Sequence, residues 1–180
     1  MSRNAKQEFK KILVLGLDNS GNTSIVFNFI GEINLPNFIS LKETKKVNIV
    51  NLEKDNFNFK ILDFGGKEIY RNEFLKKFNE YIIDTEEIFY VIDIQDHERY
   101  ESTLNFLKEI IKRLKTMKYK IEFTFFLHKF DNNLFELNPN INDGIINDLI
   151  EKIRKIVPSE EFHEIYKSTI YTILDKIHVY

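Results

Sequence analysis

The chain has 180 residues and a formal net charge of -2, with 43% hydrophobic residues, 17 Phe and no Cys. That length fits one domain over residues 1–180 with a sizeable core. The balanced charge excludes a broad basic field for nucleic acid or anionic lipid. The lack of Cys excludes disulfides, thiolate metal sites, prenylation and palmitoylation, and Ser2 excludes N-myristoylation. No stretch is long and apolar enough to span a bilayer, and the polar start lacks a signal-peptide core. The expectation is a cytoplasmic protein with no direct membrane anchor, which reaches a membrane only through a partner.

In chain order, residues 1–9 read as a flexible, polar N-terminus. Lys10 to Leu15 is a short apolar run that reads as a buried strand. The segment from Thr23 to Ile30 opens a helix that ends near Gly31. Glu32 to Lys46 has no periodicity and carries Asn34, Pro36 and Asn37, so it reads as a loop long enough to be functional. Val47–Leu52 and Phe57–Asp63 are strands joined by the turn residues Lys54, Asp55 and Asn56, hence an antiparallel hairpin. Phe64-Gly65-Gly66 breaks the pattern, and Lys67 to Tyr81 has weak helical spacing. Glu87–Asp93 is a central strand. Arg99 to Met117 is an amphipathic helix with Leu104, Leu107, Ile110, Ile111 and Leu114 on one stripe. Ile121–Leu127 is a strand, Asn132 to Asn142 a loop, and Asp143 caps a helix over Gly144–Val157. Phe162–Tyr166 is a last short strand, Lys167-Ser168-Thr169 a turn, and Ile170–Tyr180 a final helix. Alternating strands and helices imply an α/β fold: a mostly parallel six-stranded sheet with one antiparallel hairpin and helices on both faces.

Gly16-Leu17-Asp18-Asn19-Ser20-Gly21-Asn22-Thr23 follows the phosphate-loop pattern G-x-x-x-x-G-K-[ST], with Asn22 at the lysine position. Strand, glycine loop and helix start together aim backbone N–H groups at one point, where an anion can sit. Asn19, Ser20, Gly21, Asn22, Thr23 and Ser24 are therefore the candidate phosphate-binding residues. The bland reading of the same stretch is a glycine turn between strand and helix. Two further motifs, Asp63 to Gly66 and His128 to Asp131, also fall at carboxyl ends of strands, where ligands bind in such sheets. Asp63-Phe64-Gly65 also spells the kinase D-F-G, but the chain is too short and lacks a catalytic-loop match. The four His have no metal spacing.

At these residues the chain resembles a small GTPase of the Ras superfamily, over roughly Lys11 to Lys176. It looks closest to the Arf and Rag branches. Gly16-Leu17-Asp18 with Gly21 and Thr23 is similar to the Arf phosphate loop. Asp63-Phe64-Gly65-Gly66 is the D-x-G-G form of switch II shared by both branches, followed by Arg71 as in Arf. Val91-Ile92-Asp93 with Asp96, Glu98 and Arg99 looks like Arf. His128-Lys129-Phe130-Asp131 matches the Rag form H-K-x-D of the base-recognition motif, and Lys167-Ser168-Thr169 falls at the last base-contacting turn of Rag proteins. Thr44 falls on the switch I threonine, with Asn48 as a second fit.

The resemblance implies a P-loop small-GTPase fold that binds GTP and GDP with Mg²⁺. Thr23, Thr44 and Asp63 would serve the metal, and the Gly66 N–H would meet the γ-phosphate. Asp131 would accept two donors from guanine, the Lys129 stem would cover the base, and His128 would tie the base loop to the phosphate loop. Ser168 and Thr169 would complete the base site. Two chemical departures stand out: Asn22 replaces the lysine that neutralises the phosphates, and Lys67 replaces the glutamine that orients the attacking water. The chain also ends before the last helix of such folds usually does, so that helix is expected to be short or cut. One reading is a guanine-nucleotide switch with slow or absent intrinsic hydrolysis. The other is a pseudo-GTPase that works as a partner-binding or heterodimerising module. A protein partner is expected under both: a second GTPase subunit, regulators or effectors. If GTP is held, a replacement cation is needed. Lys67 is the first candidate, with Lys45 and Lys46 behind it; the alternative is that Lys67 is a solvated surface lysine.

Overall fold

The computed structural model of the protein describes residues 8–31, 42–54, 57–170 and 173–176. Strand β1 (Glu8–Gly16) leads through the glycine loop into helix α1 (Asn22–Ile30). Strands β2 (Val47–Lys54) and β3 (Phe57–Phe64) pair antiparallel, Val47 opposite Phe64 and Lys54 opposite Phe57. Residues 55 and 56 of their turn lie outside the described residues, as does the loop of 32–41. Helices α2 (Glu68–Lys76) and α3 (Phe78–Ile82) follow, then β4 (Glu87–Asp93). A single 3₁₀ turn at His97–Arg99 opens α4 (Tyr100–Met117). Next come β5 (Glu122–His128), α5 (Leu134–Leu137), α6 (Asp143–Ile156), β6 (Phe162–Ser168) and β7 (Ile173–Lys176).

The sheet order is β2-β3-β1-β4-β5-β6-β7. The pairs β1–β3, β1–β4, β4–β5 and β5–β6 are parallel, while β2–β3 and β6–β7 are antiparallel. The six expected strands are present with the expected hairpin, and β7 adds a seventh. The final helix expected over 170–180 is therefore corrected where it is described: Ile173–Lys176 is a strand, Tyr166 opposite Lys176. The apolar spacing of that segment suits either period, but an unpaired edge of β6 gives its backbone groups partners that a helix would not use. Three local expectations also shift. Strand β1 starts at Glu8, so residues 8 and 9 belong to the sheet. The cap of α6 is Asn142, whose side chain accepts from the Ile145 N–H, rather than Asp143. The stretch of 132–142 contains the short helix α5.

Alternation along the strands sends side chains to two cores. Leu13, Leu15, Tyr90, Phe125 and Leu127 pack with Phe74, Phe78, Leu107, Ile110, Leu149 and Ile153 on one face. Ile12, Val14, Ile61, Phe89 and Val91 pack with Ile25 and Val26 of α1 on the other. After β1 the chain runs to one side through β2 and β3 and then crosses to β4 on the other. That reversal leaves a crevice at the carboxyl end of β1.

Candidate functional site

The loop after β1 is shaped by backbone conformation. Asn19 (φ 62) and Gly21 (φ 96) are both left-handed, a conformation that Asn tolerates and Gly adopts freely. Gly21 is required twice over, since a Cβ there would lie 2.2 Å from His128 Cδ2. The first turn of α1 has no side-chain cap, which leaves its N–H groups for a ligand. Gly66 comes against the same loop: a Cβ would meet the Asp18 nitrogen at 2.3 Å. The Asp18 carboxylate pairs with Arg99, at 3.0 Å, and Arg71, at 3.8 Å. Arg71 also donates to the Gly66 carbonyl, so the phosphate loop and the chain after β3 are clamped together.

Asn22 is buried and turned into this clamp. Its Nδ2 donates to the Phe64 carbonyl at 3.1 Å, and its Oδ1 accepts from Ser20 Oγ at 2.8 Å. Ser24 is also buried. Thr23 Oγ1 donates to Asp63 Oδ2 at 2.6 Å, lies 3.0 Å from Thr44 Oγ1, and Thr44 Oγ1 is 3.3 Å from the same carboxylate oxygen. Thus Thr44, rather than Asn48 on the exposed side of β2, joins this cluster. Asp63 has no exposed surface, its Oδ1 has no hydrogen-bond partner, and burial pushes its pKa up to about 6 against the pull of the two hydroxyls. One buried carboxylate with a spare oxygen and two hydroxyls is a hard-oxygen set that fits Mg²⁺ bound together with phosphates. Among the described residues there is no cluster of three His, Cys, Asp or Glu that would form a separate protein cage for a metal.

The opposite wall comes from β4, β5 and β6. His128 is buried, hydrogen-bonded through Nδ1 to Ser168 Oγ at 3.0 Å, and its ring packs on Gly21. Burial, then the charge of Lys129, pulls its pKa down to about 4. Ser168 ends β6 with its hydroxyl on His128, and the Thr169 carbonyl accepts from Asn28 Nδ2 at 3.4 Å. Lys129 is left-handed (φ 63), with its ammonium on Asp93 at 2.6 Å; a non-glycine residue held there signals a conformation enforced by its surroundings. Asp131 is exposed and accepts from Gln95 Nε2 at 2.9 Å, which also donates to the Lys129 carbonyl at 2.9 Å.

Asn19 to Ser24, Gly66, Lys67, Thr44, His128 and Lys129 line one cleft of about 400 Å³. Asp131, Ser168 and Thr169 stand behind or beside it. Glu43 and Lys42 line it as well, and Glu43 Oε2 sits 2.6 Å from Lys67 Nζ, which raises the lysine's pKa. Gln95 and Glu43 were not singled out from sequence, although each lies within two residues of a flagged position, Asp93 and Thr44. Their place beside a strand end or beside Thr44 is the signal that points to them.

The model of the Arf family (ADP-ribosylation factor family) matches residues 1–154. The chain belongs to the Arf family of small GTPases. It is 34% identical over 110 residues to ADP-ribosylation factor-like protein 3 of Chlamydomonas reinhardtii, covering 61% of this chain and 58% of the relative. It is 33% identical over 112 residues to ADP-ribosylation factor-like protein alp41 of Schizosaccharomyces pombe (strain 972 / ATCC 24843), covering 62% and 56%. The chain thus spans little more than half the length of these Arf-like relatives. The structure of the Arl6 BBS3 small GTPase from Trypanosoma brucei, with bound nucleotide analogue GppNp, shares the fold: the TM-score is 0.64 at 21% identity, over 91% of this chain and 88% of that one. The Arf side of the resemblance is thereby shown. Among the described residues no helix is long and apolar enough to cross a membrane.

Proposed function

We propose that this Arf-family chain is a guanine-nucleotide switch that binds GTP and GDP with Mg²⁺ and hydrolyses GTP slowly or not at all unaided. One observation carries the reading. Thr23, Thr44 and Asp63, from three separate segments, bring their oxygens within 3.3 Å of one another beside the uncapped start of α1. At the other wall Gln95 holds the Asp131 carboxylate in place. The α1 N–H groups and Gly66 would take the phosphates, and Thr23, Thr44 and Asp63 would hold the metal, which spreads the phosphate charge. Asp131 would accept the N1 and N2 donors of guanine, two charge-assisted bonds that adenine cannot make. Lys67 is donor-only and cannot accept a hydrogen bond from an attacking water, which supports slow hydrolysis. The segments of Thr44 and Lys67 would carry the state of the site to a protein partner.

A second reading, a partner-binding module without turnover, is favoured by Asn22. Its amide serves Phe64 and Ser20 and brings no charge to the phosphates. Two experiments separate the readings. Asp131→Asn should shift preference from GDP to XDP, read by equilibrium titration; unchanged preference rejects the base assignment. Single-turnover hydrolysis of bound GTP should run at or below about 10⁻⁴ per second, the range of unassisted relatives. A rate a hundredfold faster contradicts slow turnover.

A further inference from the structure

Lys67 and Glu43 face each other across the mouth of the cleft, 2.6 Å apart. Glu43 precedes Thr44 of the metal cluster, and Lys67 follows Gly66, whose backbone rests on the phosphate loop. Four other cations near the cleft are already paired. Lys129 is on Asp93, Arg71 and Arg99 are on Asp18, and Lys46 points to Glu73 at 3.9 Å. Lys45 does not line the cleft, whereas Lys42 does.

The pair is open to water, the side chains of Lys67 and Glu43 being 56% and 37% exposed. Ion pairs this exposed are weak and exchange easily. A terminal phosphate offers more negative charge and more acceptor oxygens than one carboxylate, and a lysine stem can swing between them. Asn22, the residue at the usual cation position, is fixed on Phe64 and Ser20 and leaves that charge to be supplied from elsewhere.

We propose that Lys67 is the γ-phosphate-binding cation of this chain, and that Glu43 is its competitor, holding the lysine when only GDP is present. The assignment rests on the guanine-nucleotide reading above and deepens it: the Glu43–Lys67 pair then sets the preference between GTP and GDP. Glu43 lowers GTP affinity in two ways, by occupying Lys67 and by placing a negative charge beside the γ-phosphate.

The test is a titration of GDP and of a non-hydrolysable GTP analogue, both with Mg²⁺, against the full chain and its variants. Lys67→Ala should weaken the GTP analogue about tenfold, the scale of one charge-assisted contact, with GDP changed less than about twofold. Glu43→Gln should tighten the GTP analogue several-fold and leave GDP alone, and that gain should vanish in the Lys67→Ala background. Asn22→Lys should relieve the loss caused by Lys67→Ala. Lys42→Ala is the control, expected to move both nucleotides together. An equal effect of Lys67→Ala on both nucleotides, or a Glu43→Gln that weakens the GTP analogue, overturns the assignment while GDP binding still stands. Failure of the unsubstituted chain to bind GDP overturns the nucleotide reading, and this proposal with it. Both side chains are solvent-exposed, and the melting temperature of each variant checks that the fold is kept.

Discussion

His128 lies between the glycine loop and the end of β6, its ring against Gly21 and its Nδ1 on Ser168. With its pKa pulled from 6.5 to about 4, the unfolded chain takes up the proton first as pH falls. Its stabilising contribution is therefore full above pH 6.5 and is lost toward pH 4. At about 1.36 kcal/mol per pKa unit the full loss is about 3 kcal/mol. Asp63, raised from 3.8 to about 6, acts in the opposite sense, costing stability as pH rises through that window. It is common to a variant that changes only His128, so it drops out of a comparison. Urea unfolding at pH 7 and pH 4.5 should show the natural chain losing about 2 kcal/mol more than His128→Asn; equal losses contradict the buried neutral histidine. At this scale residue type and spacing single out Thr23, Asp63 and Asp131, and the fold brings the Thr23 hydroxyl to 2.6 Å from the Asp63 carboxylate. The sequence was silent on where Asn22 points, because that is decided by the Phe64 carbonyl 42 residues away, and silent on Glu43, whose partner Lys67 lies beyond the β2–β3 hairpin.

Helix α4 shows what an element owes to burial. Leu107, Ile110 and Leu114 are fully buried against the sheet and α6, while Lys112 faces solvent. Leu107→Ala should cost about 2–5 kcal/mol, the transfer of a leucine plus the cavity left behind. Lys112→Ala should stay within about 0.5 kcal/mol. Denaturant midpoints decide it, and similar losses would contradict the one-sided packing of the helix. That stripe was legible because the 3.6 period runs over 18 residues. The last segment was not, because Ile173 and Leu174 occupy only 4 residues of strand. Over so short a run neither period dominates, and the edge of β6 settles the outcome. Gln95 belongs to this scale as well: it joins the end of β4 to the loop after β5 through the Lys129 carbonyl and Asp131.

For the whole molecule, one crevice gathers what lies far apart in sequence. The reversal of strand order beside β1 brings the glycine loop, the end of β3 and the end of β5 to a common mouth. The hairpin and the alternating strands made that convergence legible, since every flagged motif fell at the carboxyl end of a strand. What the crevice can bind turns on two features: the clustered oxygens of Thr23, Thr44 and Asp63, and an uncharged Asn22 where the loop pattern has lysine. The decisive measurement is a calorimetric titration of the full chain with GDP, GTP and ATP in the presence of Mg²⁺. Saturable binding of both guanine nucleotides at one site per chain, with no binding of ATP, is expected; ATP binding as tight as GTP, or no binding of any of the three, would contradict a guanine-nucleotide switch.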